Sequence, residues 1–160
     1  MNPSQPDGDA ITPEGQEALE AELEELQTSG RRAMAARILA ARDLGDLKEN
    51  AEYHIAKDDQ AHLETRIKRL RDRLRKAVVV AADTDDSTFG FGRTAEVLDE
   101  DSGEVHTWTI VGSTEADLAQ GKLSAESPVA AALLGRAPGE EVDVQTPRGK
   151  RRYRVQKLVS

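Results

Sequence analysis

The stretch Gly45-Asp46-Leu47-Lys48-Glu49-Asn50-Ala51-Glu52-Tyr53-His54 gathers side chains that could do chemistry. Asp46 and Glu49 admit two readings. As a capping box, Asp46 would accept a backbone N–H of the helix it starts while Glu49 reached back to the N–H of Asp46. As ligands, two carboxylates at a turn would offer hard oxygens to a cation such as Mg²⁺. Two are too few for a private metal cage, but enough to complete a site whose other ligands belong to a partner. Taken as residues alone, Arg42 and Lys57 near this stretch read as ordinary solvated helix charge. The chain has no Cys, which excludes a disulfide framework, a thiolate zinc site and a cysteine nucleophile. His54 and His62 are two helical turns apart, too far to chelate one ion, and His106 reads as a strand surface residue.

These acids need a helical support. From Glu14 to Lys76 the chain has no Pro and is dominated by Ala, Leu, Glu and Arg, all good helix formers. Thr12-Pro13-Glu14 supplies a cap, a Pro for the first turn and an acid beside the positive end of the helix dipole. Leu19, Leu23 and Leu26 form one apolar seam, and Leu63, Ile67, Leu70 and Leu74 form another, on which Tyr53 also falls. The first seam loses phase through Gly30 into an Ala-rich stretch containing Met34, Ile38 and Ala41, as a shifted repeat would. Gly45 fits a helix terminus and Asp46-Leu47-Lys48-Glu49 a fresh start. Glu14 to Glu25 carries six acids and no base, whereas Arg66 to Lys76 carries seven bases and one acid. Folding back at Gly45 sets these runs against each other, so the pattern predicts an antiparallel coiled-coil hairpin over 12–82 with its tip at about 44–50. At 1.5 Å per residue each arm would reach roughly 45 Å, more than a small core requires.

A composition change at Asp83 to Ser87 marks a boundary, and beyond it the apolar period becomes alternating. Val78 to Val80, Thr94 to Leu98, Val105 to Val111, Val142 to Thr146 and Tyr153 to Leu158 read as strands. Asp101-Ser102-Gly103 and Thr146-Pro147-Arg148-Gly149-Lys150 read as hairpin turns. Ser127-Pro128 before an apolar run ending at Gly135 reads as a capped short helix. The fold class is therefore α+β: residues 1–11 as a flexible leader, 12–82 as the helical hairpin, and 83–160 as an antiparallel β-sheet domain with a short helix. The basic cluster Arg148, Lys150, Arg151, Arg152 and Arg154 reads as a solvated edge that discourages strand pairing.

Composition removes other functions. The net charge of −8 argues against a global nucleic-acid binder. Aromatics at 3% make a large aromatic-lined substrate pocket an unlikely use of this chain. No apolar run approaches the roughly 18 residues of a membrane span, and Asn2 to Ala10 lacks the pattern of a signal peptide. The expectation is a soluble, cytoplasmic protein.

The chain resembles the Gre family of bacterial transcript cleavage factors. The likeness lies in Thr12-Pro13-Glu14-Gly15, in Ala41-Arg42-Asp43-Leu44-Gly45-Asp46-Leu47-Lys48-Glu49-Asn50-Ala51-Glu52-Tyr53-His54, in Gly112-Ser113-Thr114-Glu115-Ala116-Asp117, and in Ser124 to Gly135. It implies a coiled-coil hairpin that enters the secondary channel of RNA polymerase and an FKBP-like C-terminal domain that docks at its mouth. It further implies that Asp46 and Glu49 share the polymerase's active-site Mg²⁺, with no cofactor of the chain's own. By the same likeness Arg42 and Lys57 contact the backtracked RNA 3′ end, and Glu126, Ser127 and Pro128 contact the polymerase. The factor would be a monomer and an accessory to catalysis. The leader and Gly30 to Ala36 depart from the family pattern, the second in a way that would alter helix curvature. Competing readings are a channel regulator that inhibits without stimulating cleavage, a prolyl isomerase using Phe89, Phe91, Trp108 and Tyr153, and a self-associating coiled coil.

Overall fold

A computed structural model describes residues 8–46 and 50–160. The chain forms two compact units: one joins the residues up to Gly15 to Ala77–Ser160, and the other is Gln16–Lys76.

The helical unit is a hairpin. Its first arm runs through α1 (Pro13–Glu25), a π-helical segment (Leu26–Gly30) and α2 (Arg31–Arg42); its second is α3 (Ala51–Lys76). The backbone stays right-handed helical at Glu25, Gly30 and Arg31, so the first arm is continuous. The expected phase shift has a physical form here: the Arg31 N–H reaches back to the Leu26 carbonyl, one residue further than an α-helix would allow. In α3 Tyr53, Ala56, Gln60, Leu63, Ile67, Leu70 and Leu74 are each buried or half-buried and follow one another at spacings of three and four. Ion pairs fix the arms' directions. Glu22 meets Arg66 at 2.6 Å, Arg31 holds Glu64 at 2.9 Å, and Arg37 meets Asp59 at 2.6 Å. As one partner advances in sequence the other retreats, which is antiparallel. Each pair is exposed and weak, so these contacts select direction while Ile67 and Leu70, both buried, supply the packing.

The other unit is built on a five-stranded sheet in the order β5-β4-β3-β7-β6. Strands β3 (Thr94–Asp99), β4 (Val105–Val111), β6 (Glu141–Thr146) and β7 (Gly149–Leu158) pair antiparallel, through the two expected turns. The sheet is mixed, however, and not purely antiparallel. Residues 112–121 carry the chain back so that β5 (Lys122–Ser124) lies parallel to β4. Three residues are too few to leave an alternation in the sequence. Helix α4 (Pro128–Leu133) is capped as expected, the Ser127 hydroxyl accepting the Ala130 N–H at 3.2 Å. It buries Ala130 and Leu133 against Val97, Ile110, Val142, Val144 and Val155.

Sequence and structure part at the end of the leader, whose residues 1–7 lie outside the described residues. Asp9–Ile11 forms β1, parallel to β2 (Ala77–Val79), and Ile11 is fully buried. Residues 77–82, expected in the hairpin, belong to the sheet-containing unit. A parallel pair between segments some 65 residues apart has no local signature. The Glu115 carboxylate fastens this arrangement. It accepts the N–H groups of Thr12 and Gly112, each at 2.9 Å, and the Thr12 hydroxyl, whose oxygen in turn caps α1 by accepting the Gly15 N–H at 3.0 Å. Two quoted motifs, one at 12–15 and one at 112–117, thus meet at one carboxylate.

The basic cluster on β7 is not a solvated edge. Arg152 meets Asp143 at 3.1 Å, Arg154 meets Glu100 at 2.8 Å and also Glu141, and Arg151 meets Asp99 at 3.0 Å. Cross-strand acids neutralise the row. Asp99 is itself buried; burial alone would raise its carboxyl, but the N–H groups of Asp101 and Ser102 and the Arg151 charge outweigh that and hold it below the usual range. The carboxyl's stabilising effect is present above the unfolded value of about 3.9 and lost as pH falls through the lower folded value. Asp99→Asn should therefore cost about 1.5 kcal/mol at neutral pH and flatten the acid limb of the stability profile. Denaturant titrations between about pH 2 and 7 would test this, and an unchanged slope would count against it.

Candidate functional site at the hairpin tip

The tip is bounded by the end of α2 and the start of α3. Helix α2 ends with Asp43 and Leu44 N–H groups still bonded back, at 3.2 Å each, to Leu39 and Ala41. Gly45 then takes φ +126°, a conformation that only glycine adopts easily. Helix α3 starts at Ala51, and its cap is Asn50: the Asn50 side-chain oxygen accepts the Tyr53 N–H at 3.1 Å. The expected start at Asp46-Leu47-Lys48-Glu49 falls largely on residues 47–49, which lie outside the described residues; among the described residues α3 begins at Ala51. Asp46 is exposed and lies outside both helices. Glu49 lies outside the described residues.

Asn50 also works in the other direction. Its amide N–H donates to the carbonyl of Ala41, the residue whose carbonyl accepts Leu44 as well. Ala41 and Ala56 are buried, so small side chains let the arms close together near the tip. The sequence did hold a signal for Asn50, since Asn is among the strongest cap residues and Glu52 follows in the first turn. With Asp46 and Asn50 both cap-competent within five positions, local rules could not rank them.

Arg42, in the last turn of α2, and Lys57, on α3, are both exposed. Lys57 donates along its own helix to Gln60 at 2.9 Å; Arg42 forms no ion pair among the described residues. Tyr53 is half-buried on the seam and meets the His54 ring edge-on at 5.7 Å. Leu39, Leu44 and Ile55 are exposed apolar side chains at this end. A hollow of about 400 Å³ is lined by Arg37, Ala40, Ala41, Leu44, Glu52 and Ile55, and an adjoining one by Leu44, Asp46, Asn50, Ala51 and Glu52. Among the described residues no three acids or histidines cluster as a metal site would require.

Glu126, Ser127 and Pro128 sit in the sheet-containing unit, at the start of α4. Glu126 and Pro128 are exposed, and Ser127 spends its hydroxyl on the cap and on the Ser124 carbonyl at 2.8 Å. The aromatics of the isomerase reading are core residues: Phe89 and Tyr153 are buried, and Phe91 and Trp108 pack against them. His106, expected on the surface, stacks on Trp108 at 4.7 Å.

Comparison with known proteins agrees over both units. Residues 10–79 match the family model "Transcription elongation factor, N-terminal", and residues 84–159 match "Transcription elongation factor, GreA/GreB, C-term". The chain is 47% identical to transcription elongation factor GreA of Geobacillus kaustophilus over 88% of its length and 89% of that protein's. Against GreA of Roseiflexus sp. the figures are 47%, 87% and 89%. Among solved structures, one described as "Structure of the transcription factor Gfh1" is 27% identical, covering 98% of this chain and all of that one, with a TM-score of 0.45.

Proposed function

Since this chain belongs to the GreA/GreB family of transcription elongation factors, we propose that it stimulates RNA cleavage within a bacterial RNA polymerase that has backtracked. On this reading the hairpin, paired as a coiled coil, enters the polymerase's secondary channel with Asp46 and Glu49 leading. The C-terminal unit, of FKBP-like type, docks at the channel mouth through Glu126, Ser127 and Pro128. Arg42 and Lys57 hold phosphates of the displaced RNA 3′ end, a local role that an overall charge of −8 does not forbid. The factor acts as a cytoplasmic monomer.

Asp46 and Glu49 are the groups of this chain that would hold the polymerase's Mg²⁺. When bound, that ion supplies Lewis acidity at the scissile phosphodiester and an acidified water. Asp46 would help to hold that ion and to orient the attacking water. Glu49 takes a matching role. Neither is a nuclease alone, so the chain is an accessory and the bonds are broken in its partner.

The observation that carries this reading is that Asn50 caps α3. Asn50, and not Asp46, accepts the Tyr53 N–H in the first turn of α3, and Asp46 is an exposed acid outside both helices, a placement that supports a ligand's role. The experiment adds the purified protein to stalled, backtracked elongation complexes with Mg²⁺ and follows the 3′ RNA fragment. Release with the protein and Mg²⁺, and none from free RNA with the protein, is expected. Binding that slows synthesis without releasing RNA would replace this reading with an inhibitory one.

A further inference from the structure

We propose that Asn50 is a positioning residue for Asp46, a role that rests on the cleavage function proposed above. A cap needs only an acceptor. Ser, Thr or Asp would satisfy the Tyr53 N–H as well as Asn does, so capping alone does not require an amide. The amide is required by the second bond. Asn50 accepts from Tyr53 with its oxygen at 3.1 Å and donates with its nitrogen to the Ala41 carbonyl. One side chain therefore joins the first turn of α3 to the last turn of α2 and closes the segment between them.

Both anchors of this tie are fixed. Ala41 is buried, and its carbonyl also receives the Leu44 N–H at 3.2 Å, which locks the exit from α2. The Asn50 carbonyl accepts the His54 N–H at 3.2 Å in the first helical bond of α3. Asp46 stands between these anchors. The helical arms make no closer tie at this end among the described residues: the nearest described ion pair between them, Arg37 with Asp59, lies further down the arms. Among the described residues, loss of the amide bridge would leave the side-chain packing around the buried Ala41 and Ala56 to carry more of the closure of these helix ends. A loop whose ends drift relative to each other carries its carboxylate with it, and a displacement of about 1 Å is enough to degrade a reacting geometry.

The alternatives at position 50 separate the two bonds. Aspartate keeps the cap acceptor but has no N–H for Ala41, and sets a carboxylate oxygen against that carbonyl. Serine keeps the cap, is neutral, and is too short to reach across. Neither should unfold the helix, because the interaction that starts α3 remains.

The test compares the wild type, Asn50→Ser, Asn50→Asp and Asp46→Asn on backtracked elongation complexes, varying factor and Mg²⁺ concentrations separately. Helix content and melting temperature are measured alongside. For both Asn50 variants the maximal cleavage rate should fall about tenfold, the scale expected when a group orienting a metal ligand is lost. The factor concentration giving half the maximal rate should stay within about twofold, since binding to polymerase is untouched, while the Mg²⁺ requirement rises. Wild-type rates in both Asn50→Ser and Asn50→Asp would mean that the residue is a cap and nothing more, and would overturn the inference while leaving the function intact. Absence of cleavage with the wild type would overturn the proposed function, and this inference with it.

Discussion

Asp46→Asn is expected to reduce stimulated RNA release on the order of 100-fold, the cost of removing one charge-stabilising group from a preorganised site, with the fold untouched. The two halves of that expectation come from different observations. The loss follows if the carboxylate charge is what the tip delivers, because an amide of the same shape ligates Mg²⁺ far more weakly. The unchanged stability follows because Asn50, not Asp46, accepts the Tyr53 N–H in the first turn of α3. Asp46 is exposed, and substitutions at such positions ordinarily stay within about 0.5 kcal/mol even where an ion pair is lost. Under a capping-box reading Asp46→Ala would instead cost about 1 kcal/mol. Thermal melts of Asp46→Asn and Asp46→Ala beside single-turnover cleavage therefore discriminate. Full cleavage by Asp46→Asn, or a cap-sized loss of stability in Asp46→Ala, would defeat the account given for this residue.

Gly112→Ala should be the most damaging conservative change outside the tip. A Cβ at that position would stand 1.9 Å from the Ala10 carbonyl oxygen and 2.9 Å from its carbon. The obstacle is backbone, so no rotamer change relieves it. Strand β1 would have to withdraw, taking with it the fully buried Ile11 and the bonds that Glu115 makes to Thr12. A loss of about 3 kcal/mol or more is expected, which for a chain of this length corresponds to a fall of roughly 10 °C in Tm. Gly135→Ala is the control: it has open space around it and only a left-handed φ of +79° to strain, at a cost of about 1 kcal/mol. If the two variants melt together, the close approach of β1 is not what constrains position 112.

Much of this architecture is legible in the residues, and the parts that are not share a cause. The seam at Leu63, Ile67, Leu70 and Leu74, the opposed charge runs, Ser127-Pro128 and the turn at Asp101-Ser102-Gly103 all act through neighbours in sequence. They appear in the structure as helix packing, antiparallel ion pairs, a capped helix, and a turn in which the Gly103 N–H returns to the Asp99 carbonyl at 2.8 Å. Strands β1 and β5 are three residues each. They exist because distant segments offer them a partner, and no window of sequence contains both halves. Glu115 could be seen as part of a motif, but its purpose needs Thr12 beside it, 103 positions away. The charged row on β7 shows the same limit. Arg152 and Arg154 look like a basic patch until the strand register sets Asp143 and Glu141 opposite them. At the tip the ambiguity was local: Asp46 and Asn50 are both competent caps a few positions apart, and it is Asn50 that accepts the Tyr53 N–H.

The π-helical segment at Leu26–Gly30 gives the first arm a built-in length adjuster. A wider turn holds one residue more than the α-helical turn it replaces, so a chain lacking one residue there would close into ordinary helix with the facing of both flanks preserved. Single-residue insertions or deletions elsewhere along the arm would rotate everything beyond them by about 100° and turn the seam away from α3. Loss of one residue from the arm is therefore best absorbed where Gly30 leads into Arg31, well before the residues that the tip presents.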